Sequence, residues 1–202
     1  MKKLILLQGA SSAGKSSWVR NHHLTDCTIS ADEIRQRLGL TVHAKNGNMP
    51  IIKIKNHNDS ITWEIFNKII DYRMAQGALT IVDNTNTTTI ALNQMHNLAN
   101  KYSYHVYLLD FMYNYLKPIM QTSANPATPI SNATVQSLQK ILLERNTHRI
   151  LYPVPKYVLL NQIRQYLDFR RDITQNPDKY NWLEWLDPVD LTNSDVSQLI
   201  NN

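Results

Sequence analysis

Short runs of uninterrupted apolar residues alternate along the chain with segments whose apolar positions recur at helical spacing, the pattern of a parallel α/β sheet with crossover helices. Lys3–Gln8 reads as a first strand, Thr28–Ser30 as a short second, Ala78–Asp83 as a strongly apolar third and His105–Asp110 as a fourth. Helices are expected over Lys15–His22, Asp32–Leu38, Thr88–Tyr102 and roughly Pro155–Phe169. Ile61, Ile65, Phe66, Ile69 and Ile70 recur at helical spacing up to Gly77, which predicts a further, core-facing helix. Residues 39–57, with Gly39, Gly47, Pro50 and several lysines, read as an irregular connection. Residues 111–131 are polar and contain Pro118, Pro126 and Pro129, and they read as an insertion ahead of an amphipathic segment with Val135, Leu138, Ile141 and Leu142.

Composition adds bounds to that picture. The 202 residues suit one compact domain with a sizeable core, and 43% hydrophobic with 18% charged residues is ordinary for a globular protein. Cys27 stands alone, so no internal disulfide or cysteine-based metal site can form. The apolar run Leu4–Leu7 after Met1-Lys2-Lys3 is too short for a secretory leader, and no stretch approaches a membrane span. A soluble, cytoplasmic protein without a membrane partner is expected. The net charge is +5, and residues 170–202 carry three basic against six acidic side chains, leaving a body of +8 and a tail of −3. A basic body suits a polyanionic partner, although a generally basic, functionally neutral surface is the alternative.

The sharpest chemistry lies directly after the first strand. Gly9-Ala10-Ser11-Ser12-Ala13-Gly14-Lys15-Ser16 satisfies G-x-x-x-x-G-K-[ST] between an apolar strand and a helix start. Two glycines let successive backbone N–H groups converge on one anion, and the helix N-terminus adds partial positive charge. Lys15 is expected to reach the β- and γ-phosphates of ATP, and Ser16 to offer its hydroxyl to Mg²⁺. Ser17 follows on the helix surface at the edge of the same nucleotide-binding loop.

Such a loop specifies a nucleotide rather than a reaction. The guanine-reading elements D-x-x-G and N-K-x-D are missing, and Ile81-Val82 leads into Asp83-Asn84 rather than the Asp-Glu of motor-type ATPases. Small kinases remain. A hydroxyl kinase needs a carboxylate near the γ-phosphate and positive charge around the transition state. Asp32 follows the second strand, at the sheet edge that carries the loop, with Arg35 three residues on. A plain helix N-cap at Asp32 with a solvated Arg35 is the competing reading. Asp83 closes the most apolar strand on the same edge, where it could orient Mg²⁺ through water, and Asn84, Thr85 and Asn86 form a polar turn behind it.

In combination these residues resemble the phage-type and animal-type 5′-hydroxyl polynucleotide kinases over most of residues 1–165. Met1-Lys2-Lys3-Leu4-Ile5-Leu6, Gly14-Lys15-Ser16-Ser17-Trp18 and Ala31-Asp32-Glu33-Ile34-Arg35-Gln36 are similar to the phage enzyme, and Asp83-Asn84-Thr85-Asn86 to the D-N-T-N of the animal enzymes. Arg145-Asn146-Thr147-His148-Arg149 followed by Val154-Pro155 is similar to the family's R-N-x-x-R and V-P lid. The resemblance implies an α/β P-loop kinase with a small parallel sheet, flanking helices and a helical lid. It implies that Asp32 is the general base and that Arg35 contacts the acceptor's adjacent phosphate, with Asp83, Asn84 and Thr85 on the acceptor side. Arg149 would clamp the donor's β- and γ-phosphates with support from Arg145. If the segment is helical, their i, i+4 spacing puts both guanidiniums on one face.

The resemblance also implies ATP and Mg²⁺ as cofactors, a nucleic acid with a 5′-hydroxyl end as partner, and a place in nucleic-acid repair. The roughly 30 residues from Asp110 to Arg145 are more than the family has there, so the insertion is expected to reshape acceptor choice. On this reading residues 1–169 form the kinase domain, with the insertion at about 111–131 and the lid at about 145–155. Residues 170–202 form an appendage packing on it, with Trp182, Trp185 and Leu186 docked back.

Two other functions fit the loop. Its sequence is also similar to that of chloramphenicol phosphotransferases, kinases of a small hydroxyl compound, and a non-catalytic nucleotide-binding module would need nothing more. The seven histidines show no metal-ligand spacing, and Lys45, Lys53 and Lys55 could contact nucleic-acid phosphates, with plain solvated lysines the favoured reading.

Overall fold

The computed structural model describes residues 1–46, 48–55, 60–120 and 131–201, the side chains of 117–120 excepted. β1 (Lys3–Gln8) is the middle of a five-stranded parallel sheet. β2 (Thr28–Ser30) lies at one edge and β5 (Thr80–Asp83) between it and β1, while β6 (His105–Asp110) and β7 (Leu183–Leu186) continue the sheet on the other side. Leu4, Ile5, Leu6 and Leu7 are wholly buried, as a central strand covered on both faces requires. Alternation divides them: Ile5 and Leu7 enter one apolar cluster with Leu109, Leu138, Leu159 and Ile163, and Leu4 and Leu6 enter another with Phe66, Ile70, Met74 and Leu92.

The register pairs Leu7 with Asp83 and Gln8 with Asp110, so three strands end level at one edge. The connection from β1 leads to β2 on one side and the connection from β5 crosses to β6 on the other, and a crevice opens at the carboxyl ends where they diverge. Helices α1 (Lys15–Asn21), α2 (Ala31–Arg37), α3 (Ser60–Ala75) and α4 (Thr89–Tyr102) follow the strands. The Thr88 hydroxyl accepts from the Ala91 N–H and caps α4.

Several elements depart from the sequence expectation. Residues 39–57 hold an antiparallel hairpin, β3 (Thr41–Asn46) and β4 (Met49–Ile54), rather than irregular chain. Thr41, Val42, Ile51, Ile52 and Ile54 supply its β-branched positions, and the lysines that masked the pattern occupy exposed positions. In α3 the buried stripe is Thr62, Phe66, Ile70 and Met74, whereas Ile61 and Ile69 are exposed. The helix packs on α2 and α4 along that strict i, i+4 line, which keeps Ile70 in the core and turns Ile61 and Ile69 away from it. The expected insertion at 111–131 begins with α5 (Tyr113–Met120), whose Tyr113 and Leu116 are buried, and residues 121–130 lie outside the described ones.

α6 (Asn132–Thr147), capped by Ser131, carries the chain back to the crevice, and α7 (Lys156–Gln175) runs through position 169. The chain then forms β7 and α8 (Asn193–Asn201). Trp182 stacks on His96 with centroids 4.2 Å apart, and Trp185 on Phe169 at 5.8 Å. β7 eluded the sequence reading because a four-residue strand inside a Trp-rich segment carries too little alternation to register.

Candidate active site

The P-loop is shaped by its two glycines. Gly9 has φ +147°, and a Cβ there would lie 3.2 Å from both Ala13 and Met112, while Gly14 has φ +108° at the N-cap of α1. A side chain at either position would be strained. Distant chain braces the loop. Gly9 N–H donates to the Thr85 carbonyl at 2.9 Å, Ser11 N–H to Gln162 Oε1 at 2.8 Å, and Ala10 N–H lies 3.3 Å from Met112 Sδ. Below it, the buried Asp110 accepts from the Met112 and Tyr113 N–H groups and the Tyr166 hydroxyl. Burial pushes its carboxyl up to about 6, against the pull of Arg170.

Lys15 is buried, and its Nζ donates to the Gly9 and Ala10 carbonyls at 2.8 and 3.0 Å. Burial lowers its pKa to about 8; Asp83 and Asp32 act to raise it, and Arg149 acts to lower it. The four groups thus share one electrostatic neighbourhood. Ser16 Oγ donates to Asp83 Oδ2 at 2.6 Å, so a hydroxyl and a carboxylate stand together at the end of the loop. These hard oxygen donors fit Mg²⁺, which takes one or two protein oxygens and completes its shell from phosphates and water. Among the described residues no group of three His, Cys, Asp or Glu gathers to hold a metal. Ser17 lies on the exposed face of α1 and accepts from Arg20.

Asp32 sits in the first turn of α2, two residues past the N-cap Ser30, and serves as partner of Arg35 rather than as a cap. Arg35 Nη1 lies 2.7 Å from Asp32 Oδ1. Asn84 Oδ1 accepts from the Thr85 N–H, and the Thr85 carbonyl holds Gly9, so this part of the turn supports the loop through its backbone. Asn86 is buried at φ +48° and donates to the Leu7 and Val82 carbonyls, tying β1 to β5. Asn tolerates that left-handed conformation better than most residues.

Arg145 and Arg149 both reach the cleft, but not as two residues of one helix face. α6 ends at Thr147, and Arg149 stands beyond its C-cap His148. The helix stops because the next residues are claimed elsewhere. Ile52 of β4 bonds through its backbone to Ile150 and Tyr152, and the Asn146 side chain both donates to and accepts from the Val154 backbone. Arg149 is therefore fixed between α6 and a bridge to the hairpin. Burial lowers its pKa, countered by Asp32 and then Asp83, and its Nη1 is buried with no hydrogen-bond partner. Arg145 donates to the Tyr115 hydroxyl, which itself donates to the Ala13 carbonyl at 3.0 Å.

Sequence reasoning missed Tyr115, Gln162 and Tyr152. Tyr115 and Gln162 reach the loop from more than 100 residues away in the chain, and Tyr152 is buried at φ +52° with its hydroxyl on Gln36. No local pattern marks such contacts. The resulting cleft, about 1480 Å³, holds the P-loop, Asp32, Arg35, Asp83, Arg145 and Arg149.

No helix among the described residues is long and apolar enough to cross a membrane. No curated protein matches the chain. A family model described as an AAA domain matches residues 4–114, a span from β1 into α5 that holds the P-loop, Asp32, Arg35 and Asp83 and leaves Arg145 and Arg149 outside. That span is more than half of the chain, and with the five-stranded parallel sheet and its phosphate loop it places the protein in this AAA-domain family of P-loop nucleotide-binding, kinase-like proteins.

Proposed function

We propose that the protein is an ATP-dependent kinase that transfers the γ-phosphate to the 5′-hydroxyl end of a polynucleotide. The observation that carries this reading is the Asp32–Arg35 pair, held at 2.7 Å in the same cleft as Lys15 and the partnerless Nη1 of Arg149. A kinase of an uncharged small hydroxyl compound needs the carboxylate alone. A cation fixed beside that carboxylate suits an acceptor whose hydroxyl is followed closely by a phosphate.

In the reaction, Asp32 accepts the proton of the 5′-hydroxyl as its oxygen bonds to the γ-phosphorus, and the bond from that phosphorus to the β–γ bridging oxygen breaks to release ADP. Lys15 and Arg149 stabilise the negative charge of the transferring group. Mg²⁺, when bound, neutralises phosphate charge at Ser16 and Asp83. This pairs Asp83 with the donor's metal rather than with the acceptor, because its carboxylate oxygen already meets the Ser16 hydroxyl.

Incubation with γ-labelled ATP and matched 5′-hydroxyl DNA and RNA oligonucleotides, with chloramphenicol and a nucleoside as small acceptors, tests the reading. Label on an oligonucleotide 5′ end is expected. ATP consumption that labels only a small acceptor would overturn it.

A further inference from the structure

Trp63 lines the cleft, a large side chain that neither phosphate binding nor proton transfer uses. Trp63 stands on α3 beside, not within, the buried stripe of Thr62, Phe66, Ile70 and Met74, and 37% of its surface is exposed. A half-open indole on the rim of a polar cleft offers a planar apolar face to a ligand. It is nevertheless held in place. The Phe66 ring meets it edge-on with centroids 5.4 Å apart at 78°, and the Arg35 guanidinium carbon lies 5.4 Å from its ring centroid.

Arg35 therefore links two functions, since the same guanidinium that grips Asp32 also faces the indole. A single arginine head separates the proposed base from the aromatic surface, and in a nucleotide a single ribose separates the 5′-oxygen from the nucleobase. Lys53 lines the same cleft from β4, on the hairpin face that also carries the buried Ile51. The indole, Arg35 and Asp32 stand in succession, with Lys53 a second cation on the same lining, and together they offer partners for a base, a phosphate and a terminal hydroxyl.

Building on the polynucleotide reading above, we infer that Trp63 is the stacking platform for the nucleobase of the acceptor's terminal nucleotide, with Lys53 receiving a phosphate on its 3′ side. Every base has a π face, so the platform grips the end of the strand without selecting its sequence. Purine ends bind somewhat more tightly than pyrimidine ends because they cover more of the indole.

The test is steady-state kinetics of wild type, Trp63→Ala and Trp63→Phe on a 5′-hydroxyl oligonucleotide and on the same strand with an abasic terminal residue. Trp63→Ala should raise the oligonucleotide KM roughly 5- to 100-fold, the span of single base–aromatic stacks. Its kcat and its KM for ATP should stay within about twofold of wild type, and Trp63→Phe should recover most of the loss. The abasic end should weaken wild type by a similar factor and leave Trp63→Ala nearly unaffected, because the two changes remove the same contact. Equal losses for Trp63→Ala on both strands, or an unchanged KM on the normal strand, would overturn the stacking role while leaving the kinase reading in place. Failure of the wild type to label any 5′-hydroxyl strand would overturn both.

Discussion

The phosphate loop of the cleft is one contiguous stretch of chain, whereas the wall proposed for the acceptor is gathered from three elements. Gly9–Ser16 curls through two glycines at positive φ, and its backbone is held by Thr85, Met112 and Gln162. Asp32 and Arg35 come from α2, Trp63 from α3 and Lys53 from β4, and Trp63 and Lys53 are exposed. A triphosphate presents the same geometry in every kinase of this kind, so a local backbone cradle suffices to hold it. An acceptor differs from enzyme to enzyme, and side chains on separate elements can be exchanged without disturbing the loop. Arg149 joins the two walls, because the bridge between Ile52 and Leu151 ties the segment after it to the hairpin.

The comparison breaks most visibly at Arg149. Replacement by alanine should lower kcat by roughly 10³-fold or more, the scale of arginines that neutralise a transferring phosphoryl group. A loss below tenfold in single-turnover rate would move Arg149 out of the transition state.

The next effect separates the walls. Asp32→Asn should reduce kcat by about 10²- to 10⁴-fold as proton acceptance is lost, while the nucleotide Kd from calorimetry stays within a few-fold. A parallel loss of nucleotide affinity would show that Asp32 serves the donor wall instead.

The smallest effect is a proton. Burial holds the Lys15 pKa near 8, and phosphates brought against it must raise it. At pH 8 the free protein carries about half a proton on Lys15, so nucleotide binding should take up roughly half a proton, falling toward none below pH 7, where Lys15 is already charged. Affinity should then decline as pH rises above 8. Binding enthalpies in buffers of different ionisation heat measure the uptake, and proton release at pH 8 would contradict the assignment.

The same contrast governs how much was legible in the sequence. The loop, β1 and the Asp83 strand end could be read because each depends on neighbours within a few residues: glycines for positive φ, a continuous apolar run for a central strand. The hairpin, the hydrogen bond of Tyr115 to Ala13 and the placement of Arg149 could not. The lysines hid the strand alternation of the hairpin, while the other two are decided by contacts between distant segments, Tyr115 with Ala13 and Ile52 with Leu151, which override local pattern. Arg145 and Arg149 were recognisable by their spacing, but the condition for a shared i, i+4 face is not met, since α6 ends before Arg149.

The central claim is that one cleft brings a triphosphate and a 5′-hydroxyl end together for direct transfer. The most direct measurement follows γ-labelled ATP with a 5′-hydroxyl oligonucleotide, and with the same strand already bearing a 5′-phosphate, while ADP is quantified in parallel. One labelled 5′ end per ADP on the hydroxyl strand, with no labelled product on the phosphorylated one, is the predicted result. ADP formed at the same rate with either strand, and no label on any 5′ end, would contradict it.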